Sequence, residues 1–82
     1  MIMVDVYVPS LGQTYDFSLD ETAKVKDITE ELADMIGQKE QCDLKGNAAE
    51  LLLGSDTDRK FFPAGMTLEA CGIRNGARLI LI

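Results

Sequence analysis

Histidine is absent from this 82-residue chain, which removes the usual proton shuttle near neutral pH and the commonest nitrogen ligand for transition metals. Basic residues are few: eight Lys and Arg face fourteen Asp and Glu, for a net charge of −6. An acidic chain without a basic stripe repels a phosphate backbone, which argues against nucleic acid and anionic membrane surfaces as partners. Cysteine occurs twice, as Cys42 and Cys71, without the CxxC spacing or nearby histidine of a metal or redox site. The simplest account is a pair of free thiols in a reducing compartment. Cys71 reads as a small buried hydrophobe, and nothing beside Cys42 would lower its pKa. No apolar run approaches the roughly 18 residues that a membrane span needs. The apolar start, MIMVDVYVPS, alternates, lacks a basic n-region and contains Asp5, so it reads as a strand and not as a signal peptide.

Catalytic groups are equally scarce. Ser10, Ser18 and Ser55 have no base partner in the pattern. Asp27, Glu30, Glu31 and Asp34 advance around a helix and do not converge as a loop of oxygen ligands would, so they read as a solvated face. The segments Asp43–Asn47 and Ser55–Asp58 lack the ligand spacing and distal Glu of a calcium loop and read as turns. The expectation is a protein without catalytic, metal or cofactor residues.

What is present is globular. Hydrophobic residues make up 46% and charged residues 27%, with no linker or low-complexity tract, consistent with one domain over residues 1–82. A chain this short buries only about 60 to 65% of its unfolded surface, so one core takes most of its apolar side chains.

Ile2, Val4, Val6 and Val8 alternate with Met3, Asp5 and Tyr7, the period-2 pattern of a half-buried strand. Pro9 to Gln13 break it, and Tyr15, Phe17 and Leu19 return as the second arm of a hairpin. From Val25 the spacing changes: Val25, Ile28, Leu32, Met35 and Ile36 share one side of a helix. Thr22 is the expected cap and Gly37 the expected stop. A polar loop with Asp43, Gly46 and Asn47 leads to a third strand over Ala49–Leu53, ending at Gly54. Arg59–Phe62 predicts a short fourth strand closed by Pro63 and Gly65. Thr67–Ala70 fits one helical turn, Asn75-Gly76 a tight turn, and Ala77–Ile82 the final strand, expected in the middle of the sheet beside the first. The order predicts an α+β fold with a mixed four- to five-stranded sheet and one helix packed on one face.

The helix spacing, the Leu-Leu-Gly strand end, the Phe-Pro-Ala-Gly-Met-Thr-Leu segment and the closing window resemble ubiquitin-like β-grasp domains over nearly the whole chain. Within that window Leu68, Cys71, Gly72, Ile73, Asn75, Gly76, Arg78 and Leu79 match the tail-less YukD/EsaB family of type VII secretion accessory proteins. The loop from Gln38 to Asn47 departs from that pattern. The resemblance implies a cytoplasmic, non-enzymatic accessory component of a bacterial type VII (WXG100) secretion system, with secretion-system proteins as partners. Ubiquitin-type modifiers and sulfur carriers react through a C-terminal glycine carboxylate. The sequence ends at Ile82, within strand pattern, so neither conjugation nor sulfur transfer is expected. Two alternatives remain: a ubiquitin-like domain of a membrane-associated secretion component, and a sulfur-carrier or modifier relative with a hidden Gly-Gly tail.

If Val4, Val6, Leu51, Leu53, Leu79 and Leu81 face the helix, alternation sends Met3, Tyr7, Leu52, Ile80 and Ile82 to the helix-free side. A one-helix fold leaves that side uncovered. These five residues are the candidate surface for a protein partner or for self-association; burial under loops or local twist is the bland alternative.

Overall fold

The computed structural model describes residues 1–41 and 51–82. Cys42, the loop positions Asp43, Gly46 and Asn47, and the start of the expected third strand at Ala49 lie outside the described residues.

The alternating N-terminal segment forms β1 (Ile2–Val8), and the returning arm forms β2 (Gln13–Leu19). They pair antiparallel from Ile2 opposite Leu19 to Val8 opposite Gln13. The reversal is closed by Leu11 N–H donating to the Val8 carbonyl and Gly12 N–H to that of Pro9, both at 3.1 Å. Gly12 takes φ +62° there, a conformation that costs a residue without Cβ little.

Helix α1 runs Val25–Glu40, starting where the spacing changes, but its cap and its stop differ from the sequence expectation. The N-cap is Lys24, without a side-chain cap, while Thr22 donates its hydroxyl to Asp20 in the preceding turn. Tertiary structure replaces the cap: Val25 N–H donates to the Met66 carbonyl at 2.7 Å and Lys26 N–H to that of Ala64 at 3.1 Å. These two groups are among the orphan donors a side-chain cap would satisfy. Gly37 does not stop the helix. It is buried within it, and the chain turns at Gln41, whose φ of 54° is left-handed. The added turn is fastened to β2, because Tyr15 donates its hydroxyl to Glu40 and the Lys39 ammonium lies 5.2 Å from the Tyr15 ring centroid.

The remaining strands are β3 (Leu53–Ser55), β4 (Lys60–Phe61) and β5 (Ala77–Leu81). The third strand thus sits further along the chain than its apolar run, because Gly54 and Ser55 continue the pairing. The Asp56–Arg59 turn is held by Arg59 N–H on the Ser55 carbonyl and Asp58 N–H on the Ser55 hydroxyl. The Thr67–Ala70 segment makes a single i→i+4 bond, Cys71 N–H to the Thr67 carbonyl at 3.1 Å. In the Asn75-Gly76 turn only Gly76 has positive φ, at 88°.

The sheet order is β2-β1-β5-β3-β4, with β1 and β5 parallel and the other pairs antiparallel. The two apolar terminal segments therefore lie side by side within the sheet. The core between sheet and helix comprises Val4, Val6, Val8, Tyr15, Leu19, Leu53, Leu79 and Leu81 from the strands, Val25, Ile28, Leu32 and Ile36 from α1, and Leu68. Leu32 and Ile36 are wholly buried. Thr29 is buried with them, its hydroxyl satisfied by the Val25 carbonyl at 2.9 Å.

Candidate interaction surface

The strand register fixes what stands on the opposite side of the sheet. Tyr7 pairs with Ile80, Ile80 with Gly54, and Gly54 with Phe61. These side-chain positions form one row across four strands, and Thr14 extends it at the β2 end. With strands about 4.8 Å apart, Tyr7 and Phe61 stand about 14 Å from each other. Tyr7 is 37% exposed and Phe61 48%, and Ile80 between them is half-buried.

Gly54 makes a gap in the row. A Cβ there would stand 2.5 Å from the Lys60 carbonyl oxygen and 2.9 Å from Phe61 Cδ1, so the β4 backbone and the Phe61 ring occupy the place of a side chain. At the same end of the sheet lies an open groove of about 330 Å³ lined by Ser55, Asp56, Arg59, Lys60, Phe61 and Ile80.

The neighbouring row is charged. Asp16 pairs with Asp5 and Asp5 with Arg78, and Arg78 accepts the Asp56 N–H on its carbonyl at 3.1 Å. Two carboxylates thus face each other directly across β1 and β2, an unfavourable cross-strand pair. Hydrogen bonding with Asp5, then repulsion from its charge, holds the Asp16 carboxyl above its ordinary pKa; Lys39 of α1 opposes the rise.

Of the five residues expected on this face, Met3, Tyr7, Leu52 and Ile82 are exposed, Met3 at 51%, Leu52 at 52% and Ile82 at 47%. Ile80 is the half-buried fifth. Leu52 and Ile82 meet beyond the end of the ladder by two reciprocal backbone hydrogen bonds. Phe61 was missing from the expectation. Its signal was a glycine in strand context, which marks the close approach of a neighbour, followed after one turn by an aromatic residue.

The other candidates take local roles. Ser55 is buried and its hydroxyl accepts from the turn. Asp27, Glu30 and Glu31 are exposed on α1, and Asp34 is half-buried. Cys71 is half-buried against the core, and burial raises its pKa, which favours the unreactive thiol. Among the described residues no three or more Asp, Glu or Cys side chains gather as metal ligands, and no helix is long and apolar enough to cross a membrane.

A five-stranded mixed sheet with one helix across it, the two terminal strands parallel and adjacent, defines the ubiquitin-like β-grasp class. Among the solved structures that are similar to this chain are two with a TM-score of 0.70. The N-terminal ubiquitin-like domain in the 4931431F19Rik protein is 23% identical, with 99% of this chain and 72% of that one covered. Caldiarchaeum subterraneum ubiquitin is 13% identical, with 99% and 90% covered. At such identities the likeness is one of fold. No curated protein sequence matches the chain. The family model described as "WXG100 protein secretion system (Wss), protein YukD" matches residues 2–81, and the chain belongs to that family.

Proposed function

We propose that this protein is a non-catalytic, non-conjugated protein-binding module, a cytoplasmic accessory or regulatory component of a WXG100 secretion system that engages other system components through the helix-free face of its sheet. The observation that carries this reading is the row in which exposed Tyr7 and Phe61 flank half-buried Ile80, together with exposed Met3, Leu52 and Ile82, on a face that no element of the described chain covers. Apolar side chains gathered on the surface of a small domain are typical of interfaces. Membership of the WXG100 secretion family supports partners drawn from that machinery.

Affinity purification from a type VII secreting host tests the proposal. Wild-type protein is expected to retain a secretion-system component that Ile80→Glu loses and Glu30→Gln keeps, and deletion of the gene is expected to change the secreted level of a WXG100 substrate. Retention by Ile80→Glu would remove the face from consideration. Unchanged secretion in the deletion would remove the accessory role.

A further inference from the structure

The face is polar in two senses, and together they describe what it receives. Its groove lies at the β3–β4 end, with Ile80 and Phe61 as its apolar walls. Its excess of acid lies at the β2 end, where two carboxylates adjoin with Arg78 beside Asp5 and Lys39 acting on Asp16 from α1. Across the charged row Arg78 stands between Asp5 and Asp56, and Arg59 follows the same turn as Asp56 and Asp58. The β3–β4 end therefore carries acids and bases together. Asp5 and Asp16 instead face each other, and among the described residues neither makes an ion pair. The whole chain adds a charge of −6, which steers basic partners toward it and acidic ones away.

We infer that the partner of this face is a basic, apolar protein segment that lies across the strands, with one bulky apolar side chain in the groove between Ile80 and Phe61 and a Lys or Arg answering the Asp5–Asp16 pair. The inference rests on the helix-free face being the interface. An ammonium or guanidinium between the two carboxylates turns a repulsive pair into two attractive ones. A bulky side chain between Ile80 and Phe61 fills the groove that those two residues flank. A second copy of this chain meets the description less well, because it brings a net charge of −6 against the same sign.

The spacing is set by the sheet. From the β3 column to the β2 column are three strand gaps, about 14 Å, with an offset of two residues along the strand of about 7 Å. At about 1.5 Å rise per residue a helical segment covers this diagonal of about 16 Å with anchor and base about ten to eleven residues apart, or about seven where the long side chain of the base spans the remainder.

The test uses the whole 82-residue protein, labelled with ¹⁵N and titrated with two synthetic amphipathic peptides. Both carry one phenylalanine anchor; one has lysines and the other glutamates seven and eleven residues away. The lysine peptide is expected to shift the amides of Tyr7, Gly54, Ile80, Phe61 and Asp16 and to bind at least about tenfold more tightly than the glutamate peptide. Replacing Asp5 and Asp16 together by Asn should weaken the lysine peptide about three- to tenfold and flatten its salt dependence. Equal binding of the two peptides, binding unaffected by the Asn pair, or no binding of either overturns the proposal. If the glutamate peptide binds at this face and Ile80→Glu abolishes it, the interface stands while the basic partner is lost. Shifts mapping to α1 instead would overturn the interface itself. Shifts of the same amides on concentration alone would make a second copy the occupant and overturn the proposal.

Discussion

The two sides of one sheet are built from alternate residues of the same strands, yet they follow different rules. On the helix side of β1 stand Val4, Val6 and Val8, each 2% exposed or less, and on the other side Met3, Asp5 and Tyr7. The first set is uniformly apolar and β-branched because it packs on α1. The second mixes an aromatic ring, a thioether and a carboxylate, which no core would combine. The contrast separates what the fold needs from what it leaves available.

The strongest blow to the helix side is truncation under α1. Leu32 and Ile28 are at most 1% exposed, so Leu32→Ala or Ile28→Ala is expected to cost about 2 to 5 kcal/mol, most of the stability of a domain this size. Chemical denaturation measures it. A loss below about 1 kcal/mol at both sites would mean that the helix does not cover this face as described.

A smaller loss is expected at Gly54, where the two sides meet through the backbone. The added Cβ of Gly54→Ala meets the Lys60 carbonyl, so β4 must shift, at about 1 to 3 kcal/mol. Amide exchange should quicken at Lys60 and Phe61 while β1 and β5 keep their protection. Unchanged exchange at β4 would show that the strand has room to spare.

The smallest effect belongs to the outer carboxylates. A proton is held more tightly by Asp16 in the folded state than at its ordinary value of 3.8, so stability falls as pH rises through the window between 3.8 and the raised folded value. Above that window the repulsion is fully present. Asp16→Asn should therefore raise the melting temperature slightly at pH 7, with the gain fading as pH drops below 3.8. Asp20, whose carboxyl is lowered by the Thr22 hydroxyl and amide, has the opposite sign: its contribution is lost as pH falls through its lowered value. It is common to both proteins and cancels in their difference. A gain at low pH equal to that at neutral pH would mean that charge repulsion is not the cause.

Much of this was legible in the sequence, since period 2 in Ile2–Val8 and steps of three and four from Val25 report burial directly. The helix ends were not. Thr22 is a good cap by type, but the donors it would serve are taken by Met66 and Ala64, some forty residues away in sequence. Gly37 is a good stop by type, but Tyr15 and Glu40 hold the next turn in place. Both are cases in which tertiary contacts override local preference. On the surface, parity alone placed Met3, Tyr7, Leu52, Ile80 and Ile82 on one side, while Phe61 waited on knowing that β4 pairs with Gly54.

Leu79 and Ile80 put the account to its most direct test, because they are neighbours on β5 that face opposite ways. Leu79 is 1% exposed and lies in the core, and Ile80 is half-buried in the outer row. Glutamate at position 79 buries an unpaired charge, whereas at position 80 it reaches water in the free protein. Thermal melting followed by circular dichroism, with the purification assay on whatever folds, compares Leu79→Glu and Ile80→Glu side by side. The account predicts that Leu79→Glu is unfolded at 25 °C, and that Ile80→Glu melts within about 1 kcal/mol of wild type but retains no secretion-system partner. Unfolding by both substitutions would place Ile80 in the core and contradict the two-sided sheet, and a folded Ile80→Glu that binds as wild type does would contradict the interface.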